Sequence, residues 1–294
     1  VNFAVMYRGP LTSCNYSCHY CPFAKRTETA AQLVRDQSSL QRFTKWIGEQ
    51  TSHQWKVLFT PWGEALVRHW YRNAIIELSK LSHVQSVAIQ TNLSCGLDWI
   101  SACHPERIAF WATFHAGQTQ FELFVRKVRK LYERQVRLSV GMVAVPDHMS
   151  TIIRMRQELP SDVYLWLNAQ QPRSRRYTDE EISQLTEIDP QFPITLRRAR
   201  SFGEFCPAGE TTFTVDGTGS MRRCHFVDEV IGNVYSPDWE MSLRPRPCPN
   251  RFCDCFLGKG QLHSKSLQPI FGEQLLERIA SSKPVEDPAK VAPD

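Results

Sequence analysis

Six apolar runs alternate with stretches of helical periodicity through the first 170 or so residues of this chain, and that alternation constrains its fold more than any other feature. The runs cover residues 2–8, 56–60, 84–91, 107–114, 136–145 and 162–168, and the helical stretches cover 31–50, 65–82, 97–103, 119–134 and 150–159. In the clearest helix, Phe121, Phe124, Val125 and Val128 fall at i, i+3, i+4 and i+7, one face of a 3.6-residue period. Strands that alternate with helices connect by right-handed crossovers and lie parallel. The expected fold class is therefore α/β, with a partial (β/α)6 barrel of the TIM type over residues 1–200. A length of 294 residues at 42% hydrophobic content supplies a sizeable core and one to two domains.

Near residue 200 the pattern changes. Residues 201–262 are rich in Gly, Pro, Arg and Cys, and 213–217 with 221–224 read as a short hairpin. A small cysteine-rich domain is expected there. A helix is expected over 262–280 within a C-terminal segment, 263–294, whose tail from Lys283 carries the Pro and charge of a disordered stretch.

The cysteines carry the chemistry. Cys14, Cys18 and Cys21 stand at C-x3-C-x2-C, directly after the first apolar run, with Tyr20 before the last. Thiolates hold iron–sulfur clusters, and a cubane has four iron corners. Three ligands from one loop leave one iron open to chemistry. The alternative is a structural zinc knuckle, which usually closes with four ligands from paired short motifs. No second motif lies nearby in the sequence.

The Cys14–Cys18–Cys21 spacing resembles the radical S-adenosylmethionine (radical SAM) family. In that family the methionine end of SAM chelates the open iron of a 4Fe-4S cluster. One electron then cleaves SAM to a 5′-deoxyadenosyl radical, which abstracts a substrate hydrogen. Active-site groups of parallel barrels sit at the C-terminal ends of strands, where this chain carries several candidates. Pro61-Trp62-Gly63-Glu64 resembles the family's Gly-Gly-Glu element, with Trp62 in place of the first glycine; that element binds the amino group of SAM. Glycine lets backbone carbonyls approach closely, and carbonyl with carboxylate suits an ammonium. Thr91 and Asn92 are placed to reach a ribose or carboxylate, although Asn is also a helix cap. His115 is read either as structural or as a group touching substrate or SAM. By the resemblance Tyr20 lies under the adenine, and 141–145 packs against it.

Half of the ten cysteines lie late, at Cys206, Cys224, Cys248, Cys253 and Cys255. This layout resembles the SPASM/twitch extensions that hold an auxiliary 4Fe-4S cluster. Four thiols complete such a cluster and one is left over; the assignment is Cys206, Cys224, Cys253 and Cys255 as ligands, with Cys248 also a possible ligand. A zinc site on the same thiols is the alternative. Small twitch-type radical SAM epimerases acting on antibiotic sugars are similar in length and layout. They imply a thiol that returns a hydrogen atom to the opposite face of a substrate carbon. Cys248, held between Pro247 and Pro249, is the first candidate donor and Cys95 the second. Cys103 reads as buried and structural.

These features predict a radical SAM enzyme with two 4Fe-4S clusters and SAM, acting as an epimerase on a polar, sugar-like small molecule. A reductant such as flavodoxin or ferredoxin is the expected partner. A maturase of a ribosomal peptide, making a crosslink or oxidation, is the alternative enzyme; a non-catalytic metal-binding module is the third possibility. The net charge is +5, with arginines clustered at 173–176, 197–200, 222–223 and 244–251. This basic stripe reads as solvated surface, because nothing resembles a nucleic-acid module. No run is long enough to span a membrane. The opening residues read as a strand rather than a signal peptide. Cytoplasm is the expected location, where thiols serve metals or catalysis rather than disulfides.

Overall fold

The structure is a computed structural model that describes residues 1–21, 23, 26–171, 176–262, 267–272 and 278–280. The fold is α/β, a partial TIM-type barrel. Six parallel strands lie side by side in chain order: β1 (Asn2–Arg8), β2 (Gln54–Phe59), β3 (Val84–Thr91), β4 (Ile108–Phe114), β5 (Arg137–Ala144) and β6 (Leu165–Ala169). The first five crossovers carry α1 (Ala30–Glu49), α2 (His69–Lys80), α3 (Phe121–Glu133) and α4 (Met149–Glu158), with only 3-10 turns between β3 and β4. Thr29 starts α1 with a capping box, accepting from the Gln32 amide while Gln32 reaches back to its own backbone. After β6 come α5 (Asp179–Ile188) and α6 (Phe192–Thr195).

Alternation along each strand sorts two cores. Val5, Tyr7, Val57, Phe59, Val87, Ile89 and Phe110 face the helices. The opposite face of the same strands carries mostly small residues, Ala4, Met6, Leu58, Ala88 and Ala109, and is filled by Trp111 and Trp166 at 5.2 Å between rings. Gly141 makes room for this pair: a Cβ there would stand 1.9 Å from the Trp166 ring. Leu267 and Phe271 pack into the same interior from the C-terminal segment.

The expected hairpin forms as β8 (Thr212–Asp216) and β9 (Ser220–Arg222), after the two-residue β7 (Ala199–Arg200). β8 pairs in parallel with β1, from Ala4 opposite Thr212 to Arg8 opposite Asp216. With β10 (Val230–Asn233), one nine-stranded sheet runs β10-β9-β8-β1-β2-β3-β4-β5-β6. Thus the hairpin extends the barrel's own sheet. A second small sheet pairs β7 with β11 (Phe252–Cys253).

The single helix expected over 262–280 does not form. Instead α7 (Phe256–Gln261) and α8 (Gln268–Phe271) are separate short helices. Residues 263–266, 273–277 and the tail from Lys283 lie outside the described residues. Part of the basic stripe is internal rather than solvated. Arg223 is 2% exposed and donates to the Pro247 carbonyl and, at 3.6 Å, to the Cys206 sulfur. Arg173 and Arg175 lie outside the described residues. Among the described residues no helix is long and apolar enough to cross a membrane.

Candidate active site

A cavity of about 470 Å³ opens at the C-terminal ends of β1–β6. The cysteine loop follows β1 and reaches this mouth: Cys14 and Cys21 line the cavity, while Cys18 is 6% exposed beneath them. Tyr20, Gly63, Glu64, Thr91, Asn92 and His115, which the sequence places at the ends of four different elements, all line this one cavity.

Local geometry explains each position. The segment after β2 runs directly over the cysteine loop, where the Glu64 amide donates to the Ser13 carbonyl at 3.0 Å. A Cβ at Gly63 would fall 1.8 Å from that carbonyl oxygen, so only glycine fits. The glycine is thus required by contact within the protein, a reason beyond the ligand approach expected from sequence. Trp62 packs against the tilted Phe23 ring at 4.8 Å between centres and under the Arg8 guanidinium at 4.0 Å.

Glu64 is 3% exposed, and burial raises its pKa. Its Oε1 accepts from the Leu66 amide (3.0 Å) and the Thr91 hydroxyl (2.7 Å), and its Oε2 from the Asn92 amide (2.6 Å). The carboxylate therefore clamps the end of β2 to the end of β3. A carboxylate has about four acceptor sites; these three donors leave one for a ligand ammonium. Asn92 in turn donates through Nδ2 to Asn15 Oδ1 at 3.0 Å and toward the Cys14 sulfur at 3.7 Å. The backbone turn that carries Asn92 includes Leu93 at φ 56°, and Lys127 holds it by donating to the carbonyls of Leu93, Ser94 and Cys95 at 2.8–2.9 Å.

Tyr20 and His115 share a hydrogen bond, Oη to Nδ1, at 2.9 Å, with their rings stacked at 22°. Burial pushes the His115 pKa down to about 4, so the imidazole is neutral at ordinary pH. Burial also raises Tyr20, and the neighbouring Cys18 adds to the shift. Of the 141–145 run, Val143 lines the cavity, while Met142 and Ala144 belong to the helix-side core.

The donor set suits a cluster. Burial raises Cys14 and pushes Cys18 up to about 11; the Cys21 sulfur raises both further, and Cys14 adds to Cys18. Three crowded thiolates need a cation among them. Among the described residues no three His, Cys, Asp or Glu side chains converge as on a single metal ion. A cubane takes each thiolate on a different iron corner. Two donors, the Tyr16 amide at 3.4 Å and Asn92 Nδ2, already point at the Cys14 sulfur.

The late thiols also gather. Cys206, Cys224 and Cys253 pack together with Ala199, Ala208 and Leu262. Cys253 lies within electrostatic reach of Cys224, Cys248 and Cys255, and Cys224 within reach of Cys206 and Cys255; burial is the main cause that pushes Cys224 up to about 11 and Cys253 to about 12. Cys248 is tied to the turn after β7, its amide donating to Glu204 O at 2.8 Å and its carbonyl accepting from the Gly203 amide at 2.9 Å. Neither candidate hydrogen donor lines the cavity. Cys95 is 8% exposed in the helix-side core, and Cys248 stands with the late thiols. Cys255 differs from its neighbours: it packs against the barrel-interior core and lies within electrostatic reach of Arg8 and Arg278, both at the cavity wall.

Sequence reasoning passed over Arg8, Trp166, Asn168, Lys259 and Arg278, which also line the cavity. Arg8 was accessible to it: it follows Ala4 and Met6 at the period of two that marks the inner face. Arg278 was not, because its partner Asn168 is 110 residues away.

No family model matches this chain, and no curated protein matches it. Solved structures share its fold. The chain is similar to anSMEcpe with bound AdoMet at 12% identity and a TM-score of 0.54, over 83% of this chain and 80% of that one. Against anSMEcpe with bound AdoMet and Kp18Cys peptide the identity is 10%, the TM-score 0.55 and the coverage 83% and 80%. Against Streptococcus suis SuiB bound to S-adenosylmethionine the values are 11%, 0.52, 82% and 63%.

Proposed function

We propose that this chain is a radical SAM enzyme. Cys14, Cys18 and Cys21 would hold a 4Fe-4S cluster, with SAM in the cavity above them. The observation that carries this reading is that Cys14, Cys21 and all six other strand-end candidates line one cavity. Its fold likeness to three AdoMet-bound chains agrees with that use of the site. When bound, the cluster and SAM supply one-electron cleavage of the sulfonium and hydrogen-atom abstraction from a substrate carbon.

The chain's own residues do the rest. Glu64 offers its remaining acceptor site to the SAM ammonium, while Thr91 and Asn92 fix the strand end beside it. Tyr20 and His115, stacked and joined at 2.9 Å, form a flat polar–aromatic wall for the adenosine. Asn92 and the Tyr16 amide donate to the Cys14 sulfur and thereby stabilise its thiolate. Cys206, Cys224 and Cys253, with Cys248 as fourth ligand, hold an auxiliary cluster in the 201–262 region. A cavity of about 470 Å³, within the roughly 300–1,000 Å³ of small-molecule sites, favours a small substrate beside SAM. Among the late thiols, Cys255 is the one that packs against the barrel interior, and we read it as the one turned toward that substrate. We take it in place of Cys248 as the donor of an epimerase: its S–H hydrogen would move to the substrate carbon radical, and one electron from the external reductant with one proton from solvent would return the sulfur to thiol. The peptide-maturase reading draws on the peptide bound to anSMEcpe.

Anaerobically purified protein is expected to carry about eight irons and to form 5′-deoxyadenosine from SAM with dithionite. In D2O an epimerase places one deuterium on its product carbon, whereas a crosslinking maturase lowers the product mass by the lost hydrogens. A protein that never cleaves SAM under reductant is not a radical SAM enzyme.

A further inference from the structure

Ser13, directly before Cys14, has each of its polar groups held by a different residue. Its amide donates to Glu28 Oε1 at 2.6 Å, its hydroxyl accepts from Arg68 Nη2 at 3.1 Å, and its carbonyl accepts from the Glu64 amide at 3.0 Å. The preceding Thr12 donates both its amide and, at 2.9 Å, its hydroxyl to the same Glu28 oxygen. Three donors from two successive residues therefore converge on one atom. The Glu28 side chain is 5% exposed, and its other oxygen, Oε2, stands 4.0 Å from Arg68 Nη2. Neither Glu28 nor Arg68 lines the cavity.

Both residues are carried by the starts of helices. Glu28 precedes Thr29, the N-cap whose capping box fixes the beginning of α1, and Arg68 is the N-cap of α2. Among the described residues between β1 and α1 there is no helix or strand. The cysteine loop therefore lacks a backbone ladder to fix its course, and side-chain contacts must do so. The bonds from Thr12 and Ser13 to Glu28 close a ring of chain that contains Cys14, Cys18 and Cys21. A buried ion pair is a weak source of stability, because desolvation offsets its attraction. Charge-assisted hydrogen bonds that meet on one carboxylate oxygen supply direction as well as energy.

We propose that Glu28 is a positioning residue for the early cysteine loop: with Arg68 as its counter-charge it immobilises Ser13, and so fixes Cys14 relative to Glu64. This inference rests on the reading of the loop as the cluster site and of Glu64 as a contact of SAM. Ser13 is the residue that both share, since its carbonyl takes the Glu64 amide and its own peptide chain leads into Cys14. The pair thus sets the distance between cluster and SAM from outside the cavity, without touching either.

The test compares wild type with Glu28→Ala and Glu28→Gln, all purified anaerobically. The readouts are hydrogen exchange at the Thr12 and Ser13 amides, iron content, and SAM cleavage measured as 5′-deoxyadenosine. Glu28→Ala is expected to speed exchange of both amides at least about tenfold, with exchange in the barrel strands and iron content unchanged. SAM cleavage is expected to fall about 10–100-fold. Glu28→Gln keeps an oxygen for the three donors and is expected to lie between Glu28→Ala and wild type in both exchange and cleavage; it also covers the case that Glu28→Ala fails to fold. Equal exchange at Thr12 and Ser13 in wild type and both variants overturns the proposal. So does unchanged SAM cleavage with faster exchange, which leaves Glu28 a local anchor only. So does faster exchange throughout the barrel with loss of iron in both variants, which makes its role structural. A wild type that neither holds iron nor cleaves SAM removes the radical SAM reading, and the exchange contrast alone then decides whether Glu28 holds the loop.

Discussion

The two cysteine regions solve opposite problems. The early trio comes from one eight-residue loop after β1, and two of its members, Cys14 and Cys21, line a cavity. The late five are drawn from 50 residues of chain by the β7–β11 pairing and the turns around them, and three of them share an apolar pocket. On the proposed reading, the short loop supplies too few sulfurs to close a cubane and leaves its site reactive, whereas the dispersed set supplies enough to close one and needs packing rather than access. The comparison teaches that the early thiols are supplied by one strand-end loop, whereas the late ones are brought together only by tertiary assembly.

The largest effect that would break this contrast is on the early loop. Replacing Cys14, Cys18 and Cys21 together by Ala is expected to remove about four irons and abolish SAM cleavage, measured as 5′-deoxyadenosine. Cys224→Ala with Cys253→Ala is expected to remove a similar number of irons yet leave SAM cleavage without substrate within about tenfold of wild type. Loss of both activities in the late variant would mean that the two regions form one functional unit. Asn92→Ala removes the side-chain donor to the Cys14 sulfur and the link to Asn15. It is expected to lower SAM cleavage about 10–100-fold with iron retained, measured by single-turnover assay.

The smallest effect is a pH slope. His115 is held neutral, with its pKa lowered to about 4 by burial, while in the unfolded chain it takes a proton below about 6.5. The unfolded state thus binds more protons between those values. Stability falls as pH drops from about 6.5 toward 4, by at most about 3 kcal/mol. His115→Gln is expected to flatten that slope in denaturant melts taken across the range.

Much of the barrel was legible because its signals are local. Strand and helix periodicities put all six strands within about three residues of their observed ends, and the strand-end rule gathered Tyr20, Gly63, Glu64, Thr91, Asn92 and His115 at one mouth. What escaped is non-local. The parallel pairing of β8 with β1 joins residues some 200 apart, and no turn signal announces it. The same holds for Arg278 against Asn168 and for Leu267 and Phe271 inside the barrel. The donor assignment to Cys248 came from flanking prolines, a local cue. The packing of Cys255 against the barrel interior is a tertiary contact that no local cue announces.

The most direct measurement is electron paramagnetic resonance of the reduced, anaerobically reconstituted Cys224→Ala/Cys253→Ala protein, which isolates the early loop, with and without SAM. The expected result is a 4Fe-4S signal whose g-values shift when SAM is added, followed by 5′-deoxyadenosine. A signal indifferent to SAM, or no cluster at all on Cys14, Cys18 and Cys21, would contradict it.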